Sequence, residues 1–410
     1  MCTSSGAIHA FGSSKDGQVG NGQELNVDLP IELAKTFPNN GPYDELPLIE
    51  DERVIHVSCG YHHSAAVTSR GVLYTWGRDT EGCLGHGSEE LAAGPWSTTM
   101  RSSFMPCVIR AFLGGVSSKE GSDGRGGRGG EEKGREGSNK GAFGSAKLTA
   151  SVRVAIQTCS CGSEHTVVVD GTGAVWTWGK GSFGALGHGD TISTSFPRKI
   201  TTEFPDKIAS VAAGAKHTLA ITLNDGLLFA WGNGDQGRLG NGLETGYLVP
   251  KRIEFETSRD LKPGDDMCLD ISAGEAHSGL VTASGKIYTW GVGSHGRLGH
   301  NSDMDEHLPR WIHSLNTEFM IQIACGTFHT LMLTKCNGRQ GGTIYVCGGA
   351  YEGRLGQGPL FRSNMMYPQS IGGQISASPV VQISCSMLHN TAADMEGHVW
   401  TWGWGKCMRE

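Results

Sequence analysis

No apolar run in this chain approaches the ~20 residues needed to cross a bilayer as a helix. The opening Met1-Cys2-Thr3-Ser4-Ser5-Gly6 lacks the charged and apolar regions of a secretory signal, and no Asn-x-Ser/Thr sequon occurs anywhere. The twelve cysteines are therefore expected as thiols of a reducing, intracellular compartment, cytoplasmic or nuclear, and not as a disulfide framework. Positive charge is also scarce: 34 Lys and Arg against 41 Asp and Glu leave a net charge of −7. That balance argues against a body that holds nucleic acid mainly through phosphate contacts, and leaves room only for a local basic patch. No Ser/His/Asp set and no pair of carboxylates stands at a spacing that defines catalysis, so the chain is expected not to be an enzyme and to carry no cofactor. Cys159-Ser160-Cys161 is too closely spaced for a zinc knuckle and has no partner pair.

The chain does have glycine, 63 residues of it, and most of it is periodic. An aromatic or apolar residue followed by Gly and a glycine-rich turn occurs seven times: Phe11-Gly12, Trp76-Gly77, Trp178-Gly179, Trp231-Gly232, Trp290-Gly291, Cys347-Gly348 and Trp402-Gly403. A period of roughly 50–60 residues signals a repeat architecture, in which each unit buries its apolar face against its neighbours. Residues 1–410 are thus expected to form one domain.

Within a unit, the stretches 250–255, 268–273, 277–282 and 286–290 are short, rich in Val, Ile, Leu, Thr and Tyr, and bounded by Gly, Asp or Ser, which predicts four strands. Pro opens the first of them (Pro30, Pro106, Pro197, Pro250, Pro309, Pro368), and a residue without an N–H predicts the outer strand. Gly-x-x-His stands between strands two and three at His63, His165, His217, His277 and His329, with Ser386 replacing Gly before His389. A Gly-x-Leu-Gly connection follows the Trp-Gly strand. Four-stranded units repeated about an axis are the blades of a β-propeller. Trp76, Trp178, Trp231, Trp290 and Trp402 are then residues that pack between blades.

The joint pattern of Gly-x-x-His-Thr/Ser, an apolar strand, Val/Ile-Tyr/Trp-Thr-Trp-Gly and Gly-x-Leu-Gly-His resembles the regulator of chromosome condensation repeat family over most of residues 6–405. That resemblance implies a seven-bladed propeller. Read in sequence order, six complete four-stranded units run from Pro30 to Trp402, preceded by one lone Trp-Gly-type strand of an incomplete seventh. Completing that unit would take about forty more residues, so the chain is expected to be a fragment; a six-bladed ring with a surplus strand is the alternative.

Three stretches, 179–184, 232–237 and 291–296, match Gly-x-Gly-x-x-Gly, but each runs into Leu-Gly and lacks the helix a dinucleotide site requires. The six repeated histidines occupy equivalent turns, so symmetry spreads them around the ring, where each is expected to satisfy a backbone group of its own turn. Cys59, Cys161, Cys325 and Cys385 share one position and are expected small and buried. Loops after strands one and three share a face and are long at 34–52, 114–147, 257–266 and 335–342, which predicts that binding resides there. The insert 114–147 is Gly-, Arg- and Glu-rich, without apolar periodicity, and is expected to be disordered. Its Arg125 and Arg128, in an Arg-Gly-Gly setting, are the candidate partner contacts, with RNA a weak prospect because glutamates dilute the charge.

The resemblance implies a non-catalytic scaffold for protein partners, in ubiquitin-ligase, trafficking or cilium-linked settings. The alternative it implies is guanine-nucleotide exchange on a Ran-like small GTPase. Plant ultraviolet-B photoreceptors of the same fold use Gly-Trp-Arg-His-Thr; here Tyr61-His62, Ser163-Glu164, Ala215-Lys216, Glu275-Ala276 and Thr327-Phe328 fill the place between Gly and His, which argues against photoreception.

Overall fold

The computed structural model describes residues 6–33, 53–87, 102–112, 154–255, 267–335, 342–358 and 360–404. Its twenty-five strands form seven antiparallel sheets. Sheet 1 pairs His9–Gly12 with Val27–Glu32. Sheet 2 runs Val54–Cys59, His63–Thr68, Leu73–Arg78, Ser102–Val108, and sheet 3 Ile156–Cys161, His165–Asp170, Val175–Gly179, Thr194–Lys199. Sheet 4 follows with Ile208–Ala213, His217–Thr222, Leu228–Gly232, Tyr247–Arg252, and sheet 5 with Cys268–Ala273, His277–Thr282, Ile287–Gly291, Glu306–Trp311. Sheet 6 is Met320–Cys325, His329–Thr334, Ile344–Gly348, Met365–Ser370; sheet 7 is Val380–Cys385, His389–Asp394, Val399–Gly403. The architecture is an all-β propeller, its sheets set as blades around an axis.

The strand total equals six fours and one, yet hydrogen bonding sorts the strands differently from their order of reading. Each Pro strand pairs with the Trp strand before it, so five sheets have four strands, sheet 1 has two and sheet 7 has three. The Phe11-Gly12 strand is therefore paired, not lone: Ala10 faces Ile31 of the Pro30 strand. The Pro strand is outermost in every four-stranded sheet, although Pro lies inside it instead of opening it. In sheet 3 the register slips between Thr194 and Arg198, the interval that contains Pro197, where no ladder N–H is available.

First strands of consecutive sheets touch and line the axis. The His strands lie one step out and are buried along their whole length in sheets 2 to 6, which is why they read as continuous apolar runs such as His-Thr-Val-Val-Val-Asp. The core sits between sheets: Val167, Val169 and Val175 of sheet 3 pack with Ile208, Val211, Ala220 and Trp231 of sheet 4.

Each seam is closed by one carbonyl in the connection after a Trp strand. The Cys83 carbonyl accepts Trp178 Nε1–H at 2.9 Å and Thr166 Oγ1–H at 2.8 Å, both from the next sheet. Ala185 does the same for Trp231 and Thr218, and Arg238 for Trp290 and Ser278. Gln18 receives Trp76 and Ser64, Arg297 receives Cys347 and Thr330, and Arg354 receives Trp402 and Asn390. Because the indole docks edge-on, the second Gly of Gly-x-Leu-Gly has no alternative: a Cβ on Gly85 or Gly187 would lie 2.6 or 2.8 Å from the Trp Nε1, and both have positive φ.

Candidate interaction face

In each of sheets 2 to 6 the chain turns twice on one face of the propeller, first through Gly-x-x-His and then after the Trp strand; sheet 7 has the first of these as Ser-x-x-His. The two turns are tied together by the same backbone bond: Arg78 N–H donates to His62 O, Lys180 to Glu164, Asn233 to Lys216, Val292 to Ala276, Gly349 to Phe328 and Trp404 to Leu388. These loops therefore form one layer, and the buried histidines lie directly beneath it.

Those histidines bond across the seams, not within their own turns. His63 Nε2 meets Thr166 Oγ1 at 2.9 Å, His165 meets Thr218, His217 meets Ser278 and His277 meets Thr330. His329 meets Asn390 Oδ1 at 2.5 Å. Since each Thr or Ser hydroxyl already donates to a seam carbonyl, it can only accept from the imidazole, which assigns the neutral Nε2–H tautomer. Burial is the first cause that holds these rings neutral: His63 falls to about 3 and His165 to about 4. His329 also falls to about 4, and His217 and His277 lie well below the ordinary value, with buried Arg238 and Arg297 adding to the effect of burial. His389 of sheet 7 is exposed. Among the described residues no three His, Cys, Asp or Glu side chains gather as metal ligands.

In sheets 2 to 6 the turn after the Trp-type strand rises into a single 3-10 turn whose apex residue is left-handed without being Gly. Glu81, Phe183, Gln236, His295 and Glu352 have φ of 54, 62, 58, 66 and 58°. All five are exposed. Gly would take this conformation without penalty, so five side chains are held outward at the expense of local strain. Around them, Lys216 Nζ lies 5.0 Å from the Phe183 ring centroid, and Lys180 pairs with Glu164 at 2.5 Å.

Beneath the apices three arginines occupy the variable place of Gly-x-Leu-Gly, and all are buried: Arg238, Arg297 and Arg354. Arg238 bonds Asp235 O, Glu275 O and Gln236 Oε1. Arg297 bonds Ser294 O, Thr327 O and Ser294 Oγ. Each thereby fastens its own turn to the Gly-x-x-His turn of the next sheet. Burial and then the Glu275 carboxylate of sheet 5 raise the phenol of Tyr61 in sheet 2. At the edge of this layer Asp16, 5% exposed, accepts Arg78 Nη2 at 2.6 Å and faces His62 Nδ1 at 3.3 Å, which ties sheet 1 to sheet 2.

Arg125, Arg128 and the insert 114–147 lie outside the described residues, as does nearly all of each long loop expected to carry binding. The described face is the opposite one. The shared cysteine position is buried at Cys161 and Cys325, half-buried at Cys385 and exposed at Cys59, where sheet 1 has no inner strand among the described residues to cover sheet 2. The arginines and the strained apices were not singled out by sequence reasoning; the triple Gly-Arg-Leu-Gly at 237–240, 296–299 and 353–356 was the signal for the former.

Residues 116–409 match the family described as the RCC1-like domain, and residues 5–67 and 70–117 match the regulator of chromosome condensation (RCC1) repeat. The ultraviolet-B receptor UVR8 of Arabidopsis thaliana is 32% identical over 404 residues, 97% of this chain and 73% of the receptor. The E3 ubiquitin-protein ligase HERC2 of Homo sapiens is 30% identical over 405 residues, 95% of this chain but 8% of the ligase. The crystal structure of Prp20p from Saccharomyces cerevisiae, reported with its binding properties to Gsp1p and histones, superposes with a TM-score of 0.70 at 18% identity, covering 99% of this chain and 83% of Prp20p, a likeness of fold. No helix among the described residues is long and apolar enough to cross a membrane.

Proposed function

The chain belongs to the regulator of chromosome condensation repeat family, and from that membership we propose that it is a non-catalytic scaffold that holds a protein partner on the face formed by the Gly-x-x-His turns and the 3-10 apices. The observation that carries this reading is the set of five exposed, left-handed, non-Gly apex residues. Strain that could be relieved by a single Gly is retained where a side chain is used. The face also carries a mixed polar and aromatic surface, with Phe183 and Tyr351 exposed beside Lys216 and Glu352, of the kind found at protein interfaces.

The test exploits the same geometry. A chain with Glu81, Phe183, Gln236, His295 and Glu352 all changed to Gly keeps the backbone comfortable, so its urea midpoint should equal or exceed that of the parent. Affinity capture from cell extract should then recover partners with the parent chain and lose them with the variant; equal recovery by both would remove the face from the binding reading. Nucleotide exchange on a Ran-like GTPase is the competing activity. Release of labelled GDP from Ran and a panel of small GTPases should be unaffected by the protein, and acceleration of any would replace the scaffold by an exchange factor.

A further inference from the structure

The outer strand of each of sheets 1 to 6 carries one pattern: an apolar residue, Pro, two variable residues and then Ile or Leu. That last residue stands just past the strand's end, at Leu33, Ile109, Ile200, Ile253, Ile312 and Ile371, and is never more than 5% exposed. Its N–H donates, at 2.7–3.0 Å, to a carbonyl at the start of the Trp-type strand beside it, in turn Ile8, Leu73, Val175, Leu228, Ile287 and Ile344. Those six acceptor residues are buried as well, at 4% exposure or less.

Sheet 7 has the same seat without an occupant among the described residues. Its strand Val399–Gly403 reads Val-Trp-Thr-Trp-Gly, letter for letter the strand Val175–Gly179 of sheet 3. Trp400 Nε1–H donates to Asp394 Oδ2 at 3.0 Å as Trp176 Nε1–H does to Asp170 Oδ2 at 2.8 Å, so the two hairpins are set alike. In sheet 3 Arg198 faces Thr177, Lys199 faces Trp176, and Ile200 bonds Val175 O. In sheet 7 the strand pairs with His389–Asp394 on its inner side, and no described strand lies on the other. Val399 is accordingly 46% exposed where Val175 is 1% exposed. Backbone groups alternate in direction along an antiparallel strand, so Thr401 presents its N–H and carbonyl to the same open edge as Val399 O.

We propose that this edge receives an extended segment of a protein partner, of the form apolar-Pro-x-x-Ile, which adds antiparallel to Val399–Gly403 as the outer strand of sheet 7. The residue after Pro faces Thr401 and the next faces Trp400; the Ile N–H donates to Val399 O, and the Ile side chain covers Val399. Pro suits the segment because it stands on what becomes the sheet's edge, where a missing N–H halts further pairing. Six of the seven matches to this pattern in the chain are the outer strands of sheets 1 to 6, and the seventh, Phe204 to Ile208, is committed to sheet 4, where Ile208 donates to Gly173 O at 3.0 Å. A second copy of the chain therefore has none to spare. The site lies at the outer rim, apart from the turn face, and does not rest on that face binding anything.

A fluorescein-labelled peptide of the sheet 3 template, Thr194 to Ile200, tests this on the full chain by fluorescence polarisation. It should bind saturably, and a scrambled peptide of the same composition should not. Methylation of the Ile nitrogen removes the bond to Val399 O and should weaken binding by about tenfold or more. Thr401→Pro removes an N–H from the open edge alone, and should do the same while near-ultraviolet circular dichroism stays that of the parent. No saturable binding, or binding that survives both changes, would overturn the site, and the methylated peptide decides the matter should the variant not fold. Sedimentation equilibrium of the chain alone should give a monomer; a dimer that Thr401→Pro dissociates would assign the edge to a second copy. Val399 replaced by benzoylphenylalanine should crosslink in cells to another polypeptide, at a Pro-x-x-Ile segment. A crosslink within the chain itself would assign the edge to its own residues and overturn the partner.

Discussion

The indole at each seam joins two kinds of stabilisation in one residue. Trp231 is fully buried and also bonds Ala185 O, so Trp231→Ala should cost ~3–5 kcal/mol in urea unfolding. Trp402, partly exposed in sheet 7, should cost markedly less on the same change. The histidines under the face impose a pH dependence whose sign follows from their neutrality. In the unfolded chain they take up protons below about pH 6.5, whereas His165 and His329 resist to about 4 in the fold. Their stabilisation is present above pH ~6.5 and is lost as the pH falls toward 4, at up to about 1.4 kcal/mol per pH unit for each group. Asp270 works the other way. Burial raises its carboxyl to about 6 although it accepts the Ile323 N–H, so its contribution is lost as the pH rises from about 4 through 6. Asp270→Asn should therefore raise the urea midpoint at about pH 7.5 and leave it nearly unchanged at about pH 4.

At the scale of the element, the Gly-x-x-His turns are stacked so closely that each depends on the next. A Cβ on Gly214 would lie 2.4 Å from His217 Cε1 and 2.6 Å from Gly274 O. Gly214→Ala should cost about 1–3 kcal/mol in chemical unfolding, whereas Ser386→Ala, at the exposed turn of sheet 7, should change stability by less than about 0.5 kcal/mol. Such turns were plain in the sequence because Gly and His recur in fixed order, and the strands were plain because Val, Ile and Thr alternate with turn residues. The grouping of strands was not. A Pro strand and the strand after it are neighbours along the chain, but the hydrogen bonds of Arg198 and Lys199 go back to Thr177 and Trp176, a long-range choice that no local pattern encodes. The apices were hidden for a similar reason: nothing in the letters of Glu81, Phe183 or His295 announces a positive φ, which is imposed by the two turns bonded around them. Nothing local to Arg238, Arg297 and Arg354 announces their burial, which comes about where backbone carbonyls and an aromatic ring receive them.

For the whole molecule, the five seams from sheet 2 to sheet 7 are alike in construction, each uniting an imidazole of one sheet to a hydroxyl or amide of the next, which returns a bond to the first sheet's carbonyl. Joined in this way, the sheets behave mechanically as a row of equal fasteners. Pulled from its two ends in an optical trap, the chain should give way fastener by fastener, in a sawtooth of similar forces whose steps each release roughly 50–60 residues, as nearest-neighbour repeats do. Sheet 7 should yield before the others, since its His389 is exposed and its Trp402 only half covered. A single rupture of the entire body would show instead that load is shared around the axis.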